Sequence, residues 1–308
     1  MIDGDMRKPQ KTQNAQKIQK AQSAQKAQSA QKAASRRMRS AVRTRMPSAA
    51  PVRAGYQVKL LVDPDRVLDA DGLPTAAAAA ALSLGAPGRF EVAQYMDDAG
   101  RSLNGQGWIV RIRRHDDENR IRLAYKARFD IEGDGTDPAE VRRVMDRASV
   151  HNFCAEGGNY SVQVNLSHTR ATLDFTNKKC RPVPGLAPGE LPGLDASRAL
   201  VLDRLPGKLA KWAAKPAGWA ESVTASSRLH GPVRQANYPG RMLDHAMETQ
   251  VSRLRTASGE LAWFAEITAK GRTLRDAVEL RSDLMGKLRA EGWLLERDAF
   301  KTDLILGR

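Results

Sequence analysis

The sequence predicts an α+β fold organised on an antiparallel sheet or barrel, with a disordered basic tail in front of it. Three features point there. Strand-like alternating runs come in pairs joined by short polar turns, helical runs fall between the pairs, and the composition changes abruptly near residue 54. Hydrophobic residues make up 41% of the 308, enough for a sizeable core.

The tail is residues 1–53. It is acid-free from Met6, and residues 6–53 carry thirteen of the Lys and Arg residues. The whole chain has a formal charge of +15, but residues 54–308 hold 37 basic and 33 acidic residues, so the basicity sits in the tail. Gln recurs every third position from Gln10 to Gln31. A period of three winds around a helix and leaves no apolar stripe to bury, so the entropy of ordering has no offset. Residues 7–53 suit salt-sensitive contact with nucleic acid or another anionic surface, and without aromatic residues such contact would be backbone-driven. The Arg-rich start also resembles a transit peptide, against which Asp3 and Asp5 argue.

Beyond the tail each element has a local cause. Tyr56–Val62 alternates, and Asp63-Pro64 ends it. Thr75–Leu84 is helical up to Gly85, and Arg89–Met96 is a second strand. Trp108–Arg114 and Arg120–Arg128 form a hairpin across Asp116–Asn119. Pro138–Ser149 is helical. Ser161–Leu166 pairs with Arg170–Phe175, and residues 181–193 read as a Pro/Gly-rich loop. Leu200–Trp212 is helical with a break at Pro206-Gly207. Met247–Arg253 and Leu261–Lys270 form a third hairpin, Thr273–Ala290 is an amphipathic helix, and Phe300–Leu306 is read as a closing strand.

The first hairpin carries the sharpest chemistry. Trp108, Val110 and Ile112 share one face with Ile121, Leu123 and Tyr125, while Arg111, Arg113, Arg122, Lys126 and Arg128 share the other. Cations side by side on one face repel, and an anion relieves them; Arg forks and Lys ammonium groups suit phosphate oxygens. A solvated outer sheet face has the same pattern. On the third hairpin Glu266 and Lys270 share a face, which suits a metal and a phosphate or a plain ion pair.

Six motifs in order, YQVKLLVD (56–63), QYMDD (94–98), WIVRIRR (108–114), IRLAYK (121–126), WFAEITAK (263–270) and FKTDLIL (300–306), resemble the CYTH superfamily, named for class IV adenylate cyclase and thiamine triphosphatase. RLHGPV (228–233), Gly292-Trp293 and Lys301-Thr302 resemble a divergent branch of it. The resemblance implies an eight-stranded antiparallel barrel enclosing a tunnel, in which basic side chains grip a triphosphate and glutamates hold Mg²⁺ or Mn²⁺. Position by position it assigns phosphate binding to Lys59, Arg111, Arg113, Lys126, Arg228, Lys270 and Lys301, and metal binding to Glu266 with Glu248 as a weaker substitute.

The departures are specific. The family's first two glutamates fall on Gly55 and Gln57, Ser161 and Asn165 stand on the strand where others are expected, and Gln250 stands at a further one. A hard divalent ion wants several carboxylate oxygens, so the expectation is a tunnel that binds triphosphate- or polyphosphate-type anions with weak or absent metal-assisted hydrolysis. The alternatives are an active divalent-dependent phosphohydrolase and a nucleic-acid binder acting through residues 7–53. No catalytic residue is assigned. Two cysteines with no CxxC pattern give no disulfide scaffold or zinc site, and no P-loop, GxSxG or HExxH occurs. No apolar run approaches the roughly 20 residues that cross a membrane, and the chain is expected to be cytoplasmic.

Overall fold

A computed structural model describes residues 54–307 apart from 155–157, 184, 188 and 214. The tail, and the expectation that it is disordered, lie outside the described residues.

The strands are β1 Gly55–Val62, β2 Arg89–Asp97, β3 Trp108–His115, β4 Arg120–Ile131, β5 Ser161–Leu166, β6 Ala171–Pro182, β7 Arg228–Met242, β8 His245–Arg255 and β9 Leu261–Gly271. They close into a barrel in the order β1-β5-β6-β4-β3-β2-β7-β8-β9, with β9 pairing back onto β1. The expected eight antiparallel strands are therefore nine mixed ones among the described residues. Neighbours can all be antiparallel only in a ring with an even number of strands. The ninth strand forces one parallel junction, which falls at β1–β5, Gly55 facing Gln163 and Val58 facing Leu166.

Around the barrel lie helices α1 Pro64–Val67, α2 Ala76–Ala81, α3 Ser102–Gly105, α4 Pro138–Ser149, α5 Leu194–Asp203, α6 Gly207–Ala210, α7 Trp219–Ser226, α8 Leu274–Ala290 and α9 Lys301–Leu306. Their starts are written locally. Asp137 caps α4 by accepting from Ala139 N at 2.8 Å, and Thr273 caps α8 by accepting from Asp276 N at 3.1 Å. Val58, Leu60 and Val62 face outward and pack with Ala277, Leu280, Leu284 and Leu288 of α8. The large core residues Trp108, Ile112, Tyr125 and Phe175 also belong to this outer layer. The hydrophobic core thus lies between barrel and helices, and the opposite, polar parity of every strand turns into the lumen.

Two readings are corrected. Arg228–Met242 forms the long strand β7, which Gly231-Pro232 and Pro239-Gly240 conceal in the sequence. Its register against β2 shifts between Ala93 and Tyr95, so the ladder steps over the Gly231-Pro232 pair. Gly240 is required because a Cβ there would stand 2.6 Å from the Leu82 carbonyl oxygen. The second correction is Phe300–Leu306, which is not a closing strand but leads into helix α9. The β9–β1 ladder has already closed the ring, so no edge is left to extend. Instead Ile305 and Leu306 join Leu61, Tyr95, Ile109, Val233, Leu254 and Phe264 in a separate apolar cluster that fills one end of the lumen.

Candidate functional site: a cationic lumen

The rest of the lumen is a cavity of about 720 Å³. Ten cations line it: Lys59, Arg89, Arg111, Arg113, Arg122, Lys126, Arg128, Lys178, Lys270 and Lys301, against three carboxylates, Glu91, Glu248 and Glu266. Alternation explains the set. Odd positions of β3 and even positions of β4 point inward, so Arg113 stands directly across from Arg122 and Arg111 across from Ala124. Like charges directly opposite each other destabilise a sheet.

Some cations are balanced within the wall. Asp174 on β6 is fully buried and accepts from Lys126 Nζ at 2.7 Å, Arg128 Nε at 3.0 Å and Asn165 Nδ2 at 3.0 Å. Burial by itself would raise the Asp174 carboxyl, but Arg128 and Lys126 outweigh it and hold the group well below the usual carboxylate range. Glu91 accepts from Arg113 Nη1 at 3.0 Å. Glu118, on the β3–β4 turn, pairs with Arg122 and is pulled down to about 2, chiefly by that bond.

Others are not balanced. Among the described residues Lys59, Arg111, Lys178, Lys270 and Lys301 make no ion pair with a carboxylate. Lys301 enters from the start of α9, where its Nζ donates to Gln235 Oε1, to Ser252 Oγ at 3.1 Å and to Gln250 Oε1 at 3.5 Å. Burial pushes it down to about 8, with Glu266 acting in the opposite sense. Burial likewise pushes Lys126 down to about 7, opposed by Asp174 and assisted by Arg128 and Lys59. Lys178 is lowered by burial and then by Arg113, Arg111, Arg122 and Lys270. Burial thus works against the charged forms of Lys126, Lys178 and Lys301, whereas Arg111 is raised despite its burial, by Tyr95 and Glu91.

Eight of the nine site residues read from the sequence meet in this cavity: Lys59, Arg111, Arg113, Lys126, Lys270, Lys301, Glu248 and Glu266. Arg228 does not. It opens β7 opposite Asp97 and is exposed, because β7 presents its inward parity to the cavity only beyond the register shift, at Gln235 and Asn237. Asp174 and Glu91 were not read as site residues. Each shares inward parity with lysines or arginines on neighbouring strands, a signal that becomes visible only with the strand order. Lys178 lies on the part of β6 beyond Phe175, where the sequence reading ended that strand.

The donor set does not match a hard divalent cation. Gln163 Nε2 donates to Gln57 Oε1, so two of the lumen amides satisfy each other across β5 and β1. Ser161 Oγ donates to the Thr176 carbonyl at 3.3 Å, and Asn165 is turned to Thr172 and Asp174. Among the described residues no three His, Cys, Asp or Glu side chains gather as a metal site.

No family model matches the chain, and no curated protein does. Among solved structures it resembles CYTH-type proteins. It is similar to the Hippeastrum adenylyl cyclase-type protein HpAC1, for which a dominant triphosphatase activity is described, with TM-score 0.44, 12% identity, and 81% of this chain and 93% of that one covered. It is similar to an adenylate cyclase-type protein of Bacillus halodurans, with TM-score 0.42, 13% identity and coverage of 81% and 96%. The PH1819 protein of Pyrococcus horikoshii gives TM-score 0.37, 14% identity and coverage of 79% and 95%. No helix among the described residues is long and apolar enough to cross a membrane.

Proposed function

We propose that the lumen binds triphosphate- or polyphosphate-type anions directly, as a CYTH-like tunnel whose metal site has been lost, with hydrolysis weak or absent. The observation that supports this is the group of five lumen-lining cations, Lys59, Arg111 and Lys301 half-buried and Lys178 and Lys270 exposed, that among the described residues make no ion pair, facing a cavity whose Glu248 and Glu266 are likewise without one. An anion entering there supplies what the wall lacks. Arg111 and Arg113 offer forked N–H donors from one strand, and Lys59, Lys126 and Lys270 offer point charges from three others. A divalent ion would have to rest on Glu266 and Glu248, with amides where further carboxylates are needed.

Thermal unfolding with tripolyphosphate in EDTA tests the reading. A ligand at a hundred times its Kd stabilises the folded state by about 2.7 kcal/mol. For a domain of this size that is a rise in Tm of roughly 5–10 °C. Arg113→Glu is expected to abolish it. No stabilisation in EDTA, or brisk hydrolysis with Mg²⁺ or Mn²⁺ that Glu266→Gln removes, would instead favour a divalent-dependent phosphohydrolase.

A further inference from the structure

We infer that the ligand of this lumen is a phosphorylated polyol, a compound that carries hydroxyl groups as well as phosphates, rather than an inorganic polyphosphate. The inference rests on the phosphate reading above and narrows it. Its basis is the unequal division of the barrel wall. The stretch β6-β4-β3 presents Lys178, Arg122, Lys126, Arg128, Arg111 and Arg113 to the cavity. The stretch β7-β8-β9-β1-β5 presents mainly amides, Gln235, Asn237, Gln250, Gln57 and Gln163, four of them bonded in pairs, Gln235 Nε2 donating to Asn237 Oδ1 at 2.6 Å and Gln163 Nε2 to Gln57 Oε1. Lys59 on β1 and Lys270 on β9 interrupt this second stretch, β2 between β3 and β7 carries Arg89 and Glu91, and Lys301 is already engaged by Gln235, Gln250 and Ser252.

Glu266 and Glu248 lie on that second stretch. Glu266 is only 6% exposed, and among the described residues neither carboxylate accepts a hydrogen bond or makes an ion pair. Lys301 is near enough for its charge to act on Glu266 but does not pair with it. An ionised carboxylate only accepts hydrogen bonds, and a desolvated one is costly without a donor. A chain of phosphates offers acceptors alone and would set oxygen against oxygen there. Hydroxyl groups donate to the carboxylates and both donate to and accept from the amides. A ligand with phosphates on one side and hydroxyls on the other therefore satisfies both walls at once. The cavity, about 720 Å³, lies within the range of organic-ligand sites, about 300–1,000 Å³.

The test pairs two probes with two phosphates each, fructose 1,6-bisphosphate and pyrophosphate, titrated into the full chain in EDTA. The sugar bisphosphate is expected to bind at least about tenfold more tightly, the equivalent of one or two good hydrogen bonds. Gln250→Leu and Glu266→Leu should each remove most of that preference while leaving pyrophosphate binding equal or tighter, because Glu266→Leu also deletes a negative charge. Should Glu266→Leu not fold, the isosteric Glu266→Gln is expected to narrow the preference several-fold. Equal affinities for the two probes would overturn the inference. So would a pyrophosphate affinity that overtakes the sugar bisphosphate on addition of Mg²⁺ and depends on Glu266, since the carboxylates would then serve a metal. Arg113→Glu separates the two levels. If it weakens both probes and they still bind alike, only the polyol inference fails; if it changes neither, the phosphate reading fails with it.

Discussion

Replacing Asp174 by Asn removes one charge from the most enclosed polar site in the barrel while keeping its shape. Lys126 and Arg128 then lose the carboxylate that holds them at 2.7 and 3.0 Å. Removing one partner of a buried pair typically costs about 3–5 kcal/mol, because the remaining charge is left uncompensated. Both cations touch the cavity, with side chains 24% and 15% exposed, so the lower end of that range is expected, about 3 kcal/mol at pH 7. That corresponds to a fall in Tm of roughly 6–12 °C. The pH dependence makes the test sharper. The folded-state pKa of Asp174 is depressed, so its contribution is present above the unfolded value near 4 and is lost as pH falls below it. The stability curves of wild type and Asp174→Asn should therefore converge in acid. Lys126, held at about 7 with Asp174 raising it, drops further in the variant and sheds its proton below neutrality, so part of the difference fades from there upward too. Urea denaturation from pH 2 to 9 reads both limbs. A difference under about 1 kcal/mol at pH 7, or two parallel curves, would show that Asp174 does not balance this pair.

Four further outcomes are expected. Tripolyphosphate affinity should fall as pH rises through 7 to 9, because the anion favours the charged forms of Lys126 and Lys301, which in the free lumen titrate at about 7 and 8; calorimetry in buffers of different ionisation enthalpy should register proton uptake. Ile305→Ala should cost roughly 2–4 kcal/mol in chemical denaturation, since this buried side chain helps α9 seal the apolar end. Thr273→Ala should cost about 1 kcal/mol by the loss of the α8 cap, without altering anion binding. Gln57→Glu combined with Gln163→Glu should introduce stabilisation by Mg²⁺, measured as a Tm shift reversed by EDTA, because it adds two carboxylates to a lumen that holds Glu266 and Glu248.

Much of the lumen was legible because alternation is a local property. Arg111 and Arg113 share a side of β3 whatever the fold, and Lys126 shares one with Arg122 and Arg128. What alternation leaves open is whether that side faces water or an interior. The hairpin alone is equally compatible with a solvated outer face. Only closure of β9 onto β1 turns it inward, and closure is a long-range event: Tyr56 meets Gly271 and Val62 meets Ala265. The same limit hides Asp174, whose partners sit 46 and 48 residues away. β7 was missed for a different reason. Gly231, Pro232, Pro239 and Gly240 read as breakers, yet the register shift and the close approach to Leu82 use them. Lys301 was placed in the lumen on the premise of a closing strand. It arrives there from the N-terminal end of a helix, because Phe300 and α9 cross the barrel end that a strand would have lined.

The residues kept and the residues lost in this lumen form a single electrostatic argument. In the pattern implied by the resemblance, carboxylates, metal ions and basic side chains balance one another around a phosphate chain. Here Gly55, Gln57, Ser161 and Asn165 stand where that pattern implies four negative charges, while the cations of β1, β3, β4 and β9 are present. If the cations served only the wall, their excess would be a pure cost of burial and mutual repulsion, of the kind that lowers Lys126, Lys178 and Lys301. The wall itself answers for part of it: Asp174, Glu91 and Glu118 each hold neighbouring cations. The part it leaves unanswered, centred on Lys59, Arg111, Lys178 and Lys270, faces the open volume, where a bound anion can answer it. An amide in place of a carboxylate would alter which partner completes such a site. A metal needs charge from the protein, whereas amides offer both donors and acceptors to groups carried by the ligand. The proposed ligand would meet these cations through its phosphates and the amides through its other groups, where the implied pattern has a metal, which is the difference that the two-probe titration measures.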